Sequence, residues 1–107
     1  MTKSASVAPG KGKRPTYVLK LYIAEGEQHS RMARENLKRI CDEYLKYRFQ
    51  IQEVDVLTDF ASALHDGVVV TPTLILVAPE PRATIVGNLS DKRGVISALR
   101  LGDTHGT

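Results

Sequence analysis

VVVTPTLILV, from Val68 to Val77, is the densest β-branched run in the chain and carries a proline at its centre. Proline cannot donate to a sheet ladder, so Pro72 belongs where a strand begins, and Thr73 to Val77 should run inward from it. Upstream, Tyr17 to Ala24 and Phe49 to Leu57 have strand composition, and Thr84 to Gly87 has it downstream. Helical patterns separate these runs. The alternation predicts an α/β domain with a mixed four-stranded sheet in which Leu74 to Val77 is an inner strand.

Composition narrows the classes of function. With 107 residues, 42% of them hydrophobic, the chain can bury one core, and it has no apolar run long enough to span a membrane. Ser4 to Gly12 is small, polar and basic, unlike a secretory signal, so the expected location is cytoplasmic. The net charge of +3 is concentrated at Lys3, Lys11, Lys13 and Arg14, leaving 11 basic against 12 acidic residues in the rest of the chain. A near-neutral folded part gives no basic face for nucleic acid, and residues 1–15, rich in Pro, Gly and Lys, are expected to form a flexible leader. Cys41 is the single cysteine, and His29, His65 and His105 lack ligand spacing, so neither a disulfide nor a metal site is expected.

Along the chain, Tyr17 to Ile23 is apolar enough for a strand covered on both faces. Ser30 is placed to cap the helix after it, and Ala33, Leu37, Ile40, Cys41, Tyr44 and Leu45 recur at helical spacing. In the second strand Phe49, Ile51 and Glu53 share one face, with a bulge expected near Glu53. Thr58 or Asp59 can cap a short helix whose apolar side would be Phe60, Ala61 and Leu64 and whose end is marked by Gly67. Pro79-Glu80-Pro81 should link an antiparallel hairpin. The last helix is predicted over Asp91 to Leu101, and residues 102–107 as a frayed end.

The resulting order, βαβαββα, resembles the thioredoxin-like fold, in which the proline before the third strand is usually cis. Enzymes of that fold need a cysteine at the amino end of the first helix, where the dipole lowers the thiol pKa. Here that stretch reads Glu27-Gln28-His29-Ser30-Arg31, with no sulfur. A thioredoxin-like or glutathione-binding enzyme dependent on Ser30 is the alternative reading.

Within that fold the chain resembles the KaiB family from Thr16 to about Leu101. The pieces are TYVLKLYIA at Thr16 to Ala24, EVDVL at Glu53 to Leu57, TPTL at Thr71 to Leu74 and APEPRATIVGNLSD at Ala78 to Asp91. The resemblance implies a non-enzymatic regulator without cofactors that binds a KaiC-like ATPase ring, with a KaiA-like protein or a sensor kinase as further partners. It also implies a family with two folds, a tetrameric ground state and the thioredoxin-like form, so the chain could be a monomer, dimer or tetramer. Switching members carry glycine and aspartate where this chain has Ala98 and Arg100, both better helix formers, so together with Pro72 these residues should favour the thioredoxin-like form. The expected partner surface joins Ile51 and Glu53 of the second strand to Arg31, Arg34 and Lys38 of the first helix. Cyanobacterial members differ in charge at Glu53, Gly67, Ala83 and Thr84, which implies altered partner recognition.

Overall fold

Alternation along Tyr17–Ile23 divides the molecule into two layers. In this strand, β1, Tyr17, Leu19, Leu21 and Ile23 point to one face and are buried, while Val18, Lys20 and Tyr22 point to the other. The computed structural model describes residues 15–101. Residues 1–14 of the leader expected over residues 1–15, the proposed end at 102–107 and His105 lie outside the described residues.

After β1 come α1 (Gln28–Tyr44), β2 (Phe49–Asp55), α2 (Phe60–His65), β3 (Thr73–Ala78), β4 (Ala83–Val86) and α3 (Lys92–Leu99). The sheet order is β2-β1-β3-β4. β2 runs parallel to β1, whereas β3 and β4 are antiparallel to their neighbours. The Thr71–Pro72 peptide is cis, and β3 starts at Thr73, as the sequence predicts. Ala78–Pro79 and Glu80–Pro81 are also cis, in the link between β3 and β4. Among the described residues no helix is long and apolar enough to cross a membrane.

The main core lies between the sheet and the α1 and α3 side. Leu19, Leu21, Leu74 and Leu76 meet Ala33, Leu37, Ile40 and Cys41 of α1 and Val95 and Leu99 of α3. Tyr17 is tied across this core by its hydroxyl, which donates to the Leu99 carbonyl at 2.9 Å. A smaller cluster on the opposite face joins Tyr22, Val54 and Ile75 to Ala63 and Val68. The expectation that β1 is covered on both faces therefore holds fully only at its carboxyl end, since Val18 and Lys20 remain half-buried.

Several local expectations need correction. Glu27, not Ser30, is the N-cap of α1: its carboxylate accepts from the Ser30 and His29 N–H groups, because the helix begins two residues before Ser30. No register shift occurs at Glu53; β2 pairs with β1 without interruption, and the irregularity lies between Val18 and Leu19 opposite β3. Asp59 caps α2, yet Phe60 and Leu64 are largely exposed and Ala63 is the buried residue. A helix of six residues makes fewer than two turns, so spacing alone could not say which side it buries. Gly67 does end this segment, with φ of +74° in the left-handed region where a side chain would be strained.

α3 is shorter than predicted. Asp91 caps it through the Gly94 N–H, and it stops at Leu99 because Arg100 adopts a left-handed φ of 57°. Ala98 lies within the helix, but at Arg100 the helix propensity of arginine does not operate.

Candidate partner-docking surface

β2 is an edge strand. Among the described residues its one strand neighbour is β1, so its other margin presents backbone N–H and C=O groups to solvent. Phe49 and Ile51 turn toward the main core and pack against its rim, which leaves Ile51 to contribute chiefly its backbone to that margin. Glu53, next on the same face, has passed the end of the core and is exposed.

α1 lies over that face because Ala33, Leu37, Ile40 and Cys41 form its buried stripe. Arg34, just beside this stripe, reaches across to β2. Its Nε donates to both carboxylate oxygens of Glu53 at 3.1 and 3.0 Å, and Nη2 donates to Glu25 Oε1 at 3.4 Å. The hydrogen bond to Glu53, ahead of the neighbouring negative charges, raises the Arg34 pKa further above its usual value. A half-exposed pair of this kind contributes about 0.5–1 kcal/mol. Its greater consequence is positional, because the shared Nε–H bond to Glu53 and the Nη2 contact to Glu25 hold the helix charge against the strand edge.

The structure thus joins Arg34 and Glu53 and adds Glu25, which the sequence reading did not include. Arg31 is exposed one turn earlier on α1, and Lys38 one turn later, paired with Asp42 at 3.3 Å. These two flank the Arg34–Glu53 pair without touching it. Glu25 lies two residues past β1, in the loop leading to α1, where no periodicity in the sequence marks its direction.

The residues of the enzymatic alternative are committed elsewhere. Ser30 is buried; its hydroxyl accepts from the Ala24 N–H at 3.0 Å and donates to Glu27 Oε1 at 3.0 Å, which ties the loop after β1 to the start of α1. Cys41 is fully buried in the main core, and burial, ahead of the nearby Asp42 charge, pushes its thiol up to about 12. A thiol in that state holds almost no thiolate at neutral pH. No group of three or more His, Cys, Asp or Glu side chains among the described residues is arranged to hold a metal.

A second polar constellation lies on the α2 face. Tyr22 is fully buried, and its hydroxyl donates to Asp66 Oδ2 and lies 3.2 Å from the Ser62 carbonyl, while Lys20 Nζ donates to the same carboxylate oxygen at 3.0 Å. These bonds fasten the end of α2 to β1. The Tyr22 hydroxyl, followed by Lys20, holds the Asp66 carboxyl below its usual range, and Asp66 raises the Lys20 pKa. A lysine inside an otherwise apolar strand was the available signal for this cluster.

The family profile for the KaiB domain matches residues 20–101. The chain belongs to the KaiB family. Among its relatives, the circadian clock oscillator protein KaiB of Microcystis aeruginosa is 39% identical over 88 residues, covering 82% of this chain and 85% of the relative. The corresponding Nostoc protein is 38% identical over the same length. This KaiB-family chain also shares its fold with the N-terminal domain of Synechococcus elongatus SasA, at a TM-score of 0.67 and 21% identity over 91% of this chain and 94% of that one. Thioredoxin-2 of the malaria parasite superposes with a TM-score of 0.67 at 21% identity, covering 85% of this chain and 87% of its own. The thioredoxin-like fold expected from the element order is therefore the fold of this chain.

Proposed function

We propose that this KaiB-family protein is a non-enzymatic regulator that docks on a KaiC-family ATPase ring and modulates its activity or signalling output, in a circadian or stress response. The observation that carries the reading is the free edge of β2 set beside the Arg34–Glu53 pair. A strand edge offers backbone pairing to a partner, and fixed charges beside it set register and select among partners. Arg31 and Lys38 extend the charged stripe along α1, and Ile51 supplies backbone at the edge. The names of the relatives as clock oscillator proteins support the class of partner. A KaiA-like protein or a sensor kinase would compete for or add to the same complex.

Charge exchange tests whether a partner reads these residues. Arg34→Glu should weaken binding to the ATPase at least tenfold, about 1.4 kcal/mol or more, with a larger loss at low salt. Combining Arg34→Glu with Glu53→Arg restores an internal pair. If the pair serves only the fold, the double variant binds like the wild type in a titration monitored by fluorescence anisotropy; the proposal requires that binding stay weak.

The same reading holds that the chain rests in the thioredoxin-like fold, with Pro72 opening β3, Ala98 supporting α3, and Arg100 closing it. Alanine in place of glycine favours a helix by about 1 kcal/mol, enough to reorder two states that lie a few kcal/mol apart. Secondary chemical shifts of the free protein should be helical from Val95 to Leu99. Extended shifts there would mean that another fold is the resting one.

A further inference from the structure

We infer that the end of the sheet at which β1, β2 and β4 begin is a binding face for single-stranded nucleic acid. A near-neutral sum of charge led to no basic face being expected, but the fold distributes that charge unevenly. The Tyr17 N–H donates to the Arg48 carbonyl at 3.0 Å, and the Arg48 guanidinium donates to the Pro15 carbonyl at 3.4 Å, which sets Arg48 beside the start of β1. The Tyr17 hydroxyl, bonded to the Leu99 carbonyl, brings the end of α3 to the same place. Arg100, the next residue, reaches the Pro81 carbonyl at 3.4 Å, immediately before Arg82 and β4. The turn between α1 and β2 adds Lys46.

Across residues 45–48, 79–82 and 100–101, the one carboxylate is Glu80. Among the described residues no acidic group pairs with Lys46, Arg48, Arg82 or Arg100, whereas Lys20, Arg34, Lys38 and Lys92 all have carboxylate partners. From β2 to β4 the row spans three strand spacings, about 14 Å, so its charges can follow a phosphate backbone.

Tyr47 selects the kind of polyanion. It stands between Lys46 and Arg48 and is 92% exposed, so its ring lies bare beside the cations. An unpaired base can stack on such a ring, while a duplex keeps the faces of its bases inside. An anionic bilayer would call for further apolar side chains beside the basic ones. The exposed Leu57, Phe60 and Val69 instead follow β2 or precede β3, at the opposite end of the sheet, where Asp55 and Asp59 also lie. None of the residues in this row belongs to the docking surface proposed at Arg34 and Glu53.

Fluorescence anisotropy of a labelled oligothymidylate of about 12 nucleotides, titrated with the full chain at about 50 mM salt, tests the inference. Binding is expected to weaken steeply as salt rises. Tyr47→Ala should weaken it about tenfold, and Tyr47→Phe, which keeps the ring, should bind like the wild type. Arg82→Glu should weaken it at least tenfold and flatten the salt dependence. Tyr47 and Arg82 are both exposed, so the variants should keep the far-UV circular dichroism of the wild type. An affinity that Tyr47→Ala or Arg82→Glu leaves unchanged would overturn the inference. Equal affinity for the duplex with oligoadenylate, for polyglutamate or for vesicles of anionic phospholipid would do the same, as would no binding at about 100 µM protein, the weak end of non-specific association.

Discussion

Replacing Leu74 by alanine is expected to lower stability by about 3–4 kcal/mol, among the largest losses from a single side chain in the central strands. Leu74 is fully buried on β3, opposite Leu21 of β1 and Ile85 of β4, and belongs to the core that the sheet shares with α1 and α3. Truncation removes its transfer free energy and leaves a cavity bounded by β1 and β4, paired strands that cannot close over it without breaking register. For a chain of this size the loss is a large share of the whole stability. Urea unfolding followed by circular dichroism should show a lower midpoint with an unchanged slope. A loss below about 1 kcal/mol would show that Leu74 is not at the centre of the core.

Asp66→Ala is expected to cost about 2–3 kcal/mol at neutral pH, since it strips a charged acceptor from a buried phenol and from a half-buried lysine. The pH dependence identifies the cause. The Tyr22 hydroxyl and Lys20 hold the folded-state pKa of Asp66 below its unfolded value, so the carboxylate stabilises the fold above about pH 4, and that contribution is lost as pH falls through the lower folded value. Lys20 has the opposite sign: Asp66 raises its pKa, so its contribution is complete below about pH 10 and is lost as pH rises through the raised value. Thermal melts of the wild type should therefore fall at both extremes. In Asp66→Ala the acid limb should flatten, and an acid limb as steep as in the wild type would assign it to other carboxylates.

These two sites also mark how far the sequence could be read. Leu74 was legible because burial of both faces of β3 demands a continuous apolar run, and Pro72 dates the start of that run. The long stripe of α1 repeats through several turns and so fixes its own face. α2 has too few residues for that. Its attachment depends on Asp66 meeting Tyr22 and Lys20, each more than 40 residues away in the chain. At the start of α1, Glu27 and Ser30 both offer capping oxygens, and only the backbone path decides that Glu27 is the cap while Ser30 buttresses the loop.

The adjacency of α1 and β2 charges within the proposed partner surface was legible to the same degree. The charged face of α1 and the exposed face of β2 bring Arg34 and Glu53 together, and their bond shows that the two faces do meet. Glu25 escaped because a loop carboxylate has no periodicity to betray its direction. Arg100 was misread for a related reason: the sequence continues to offer helix formers past Leu99, but a left-handed residue ends the helix there and lets Leu101 enter the core.

The central claim is tested most directly by size-exclusion chromatography with light scattering on this protein mixed with the KaiC-family ATPase of its own cell, in ATP and in ADP. A complex that depends on the nucleotide and forms within minutes of mixing is the predicted result, because the thioredoxin-like fold to which the proposal assigns binding is already in place. No complex in either nucleotide would contradict the account.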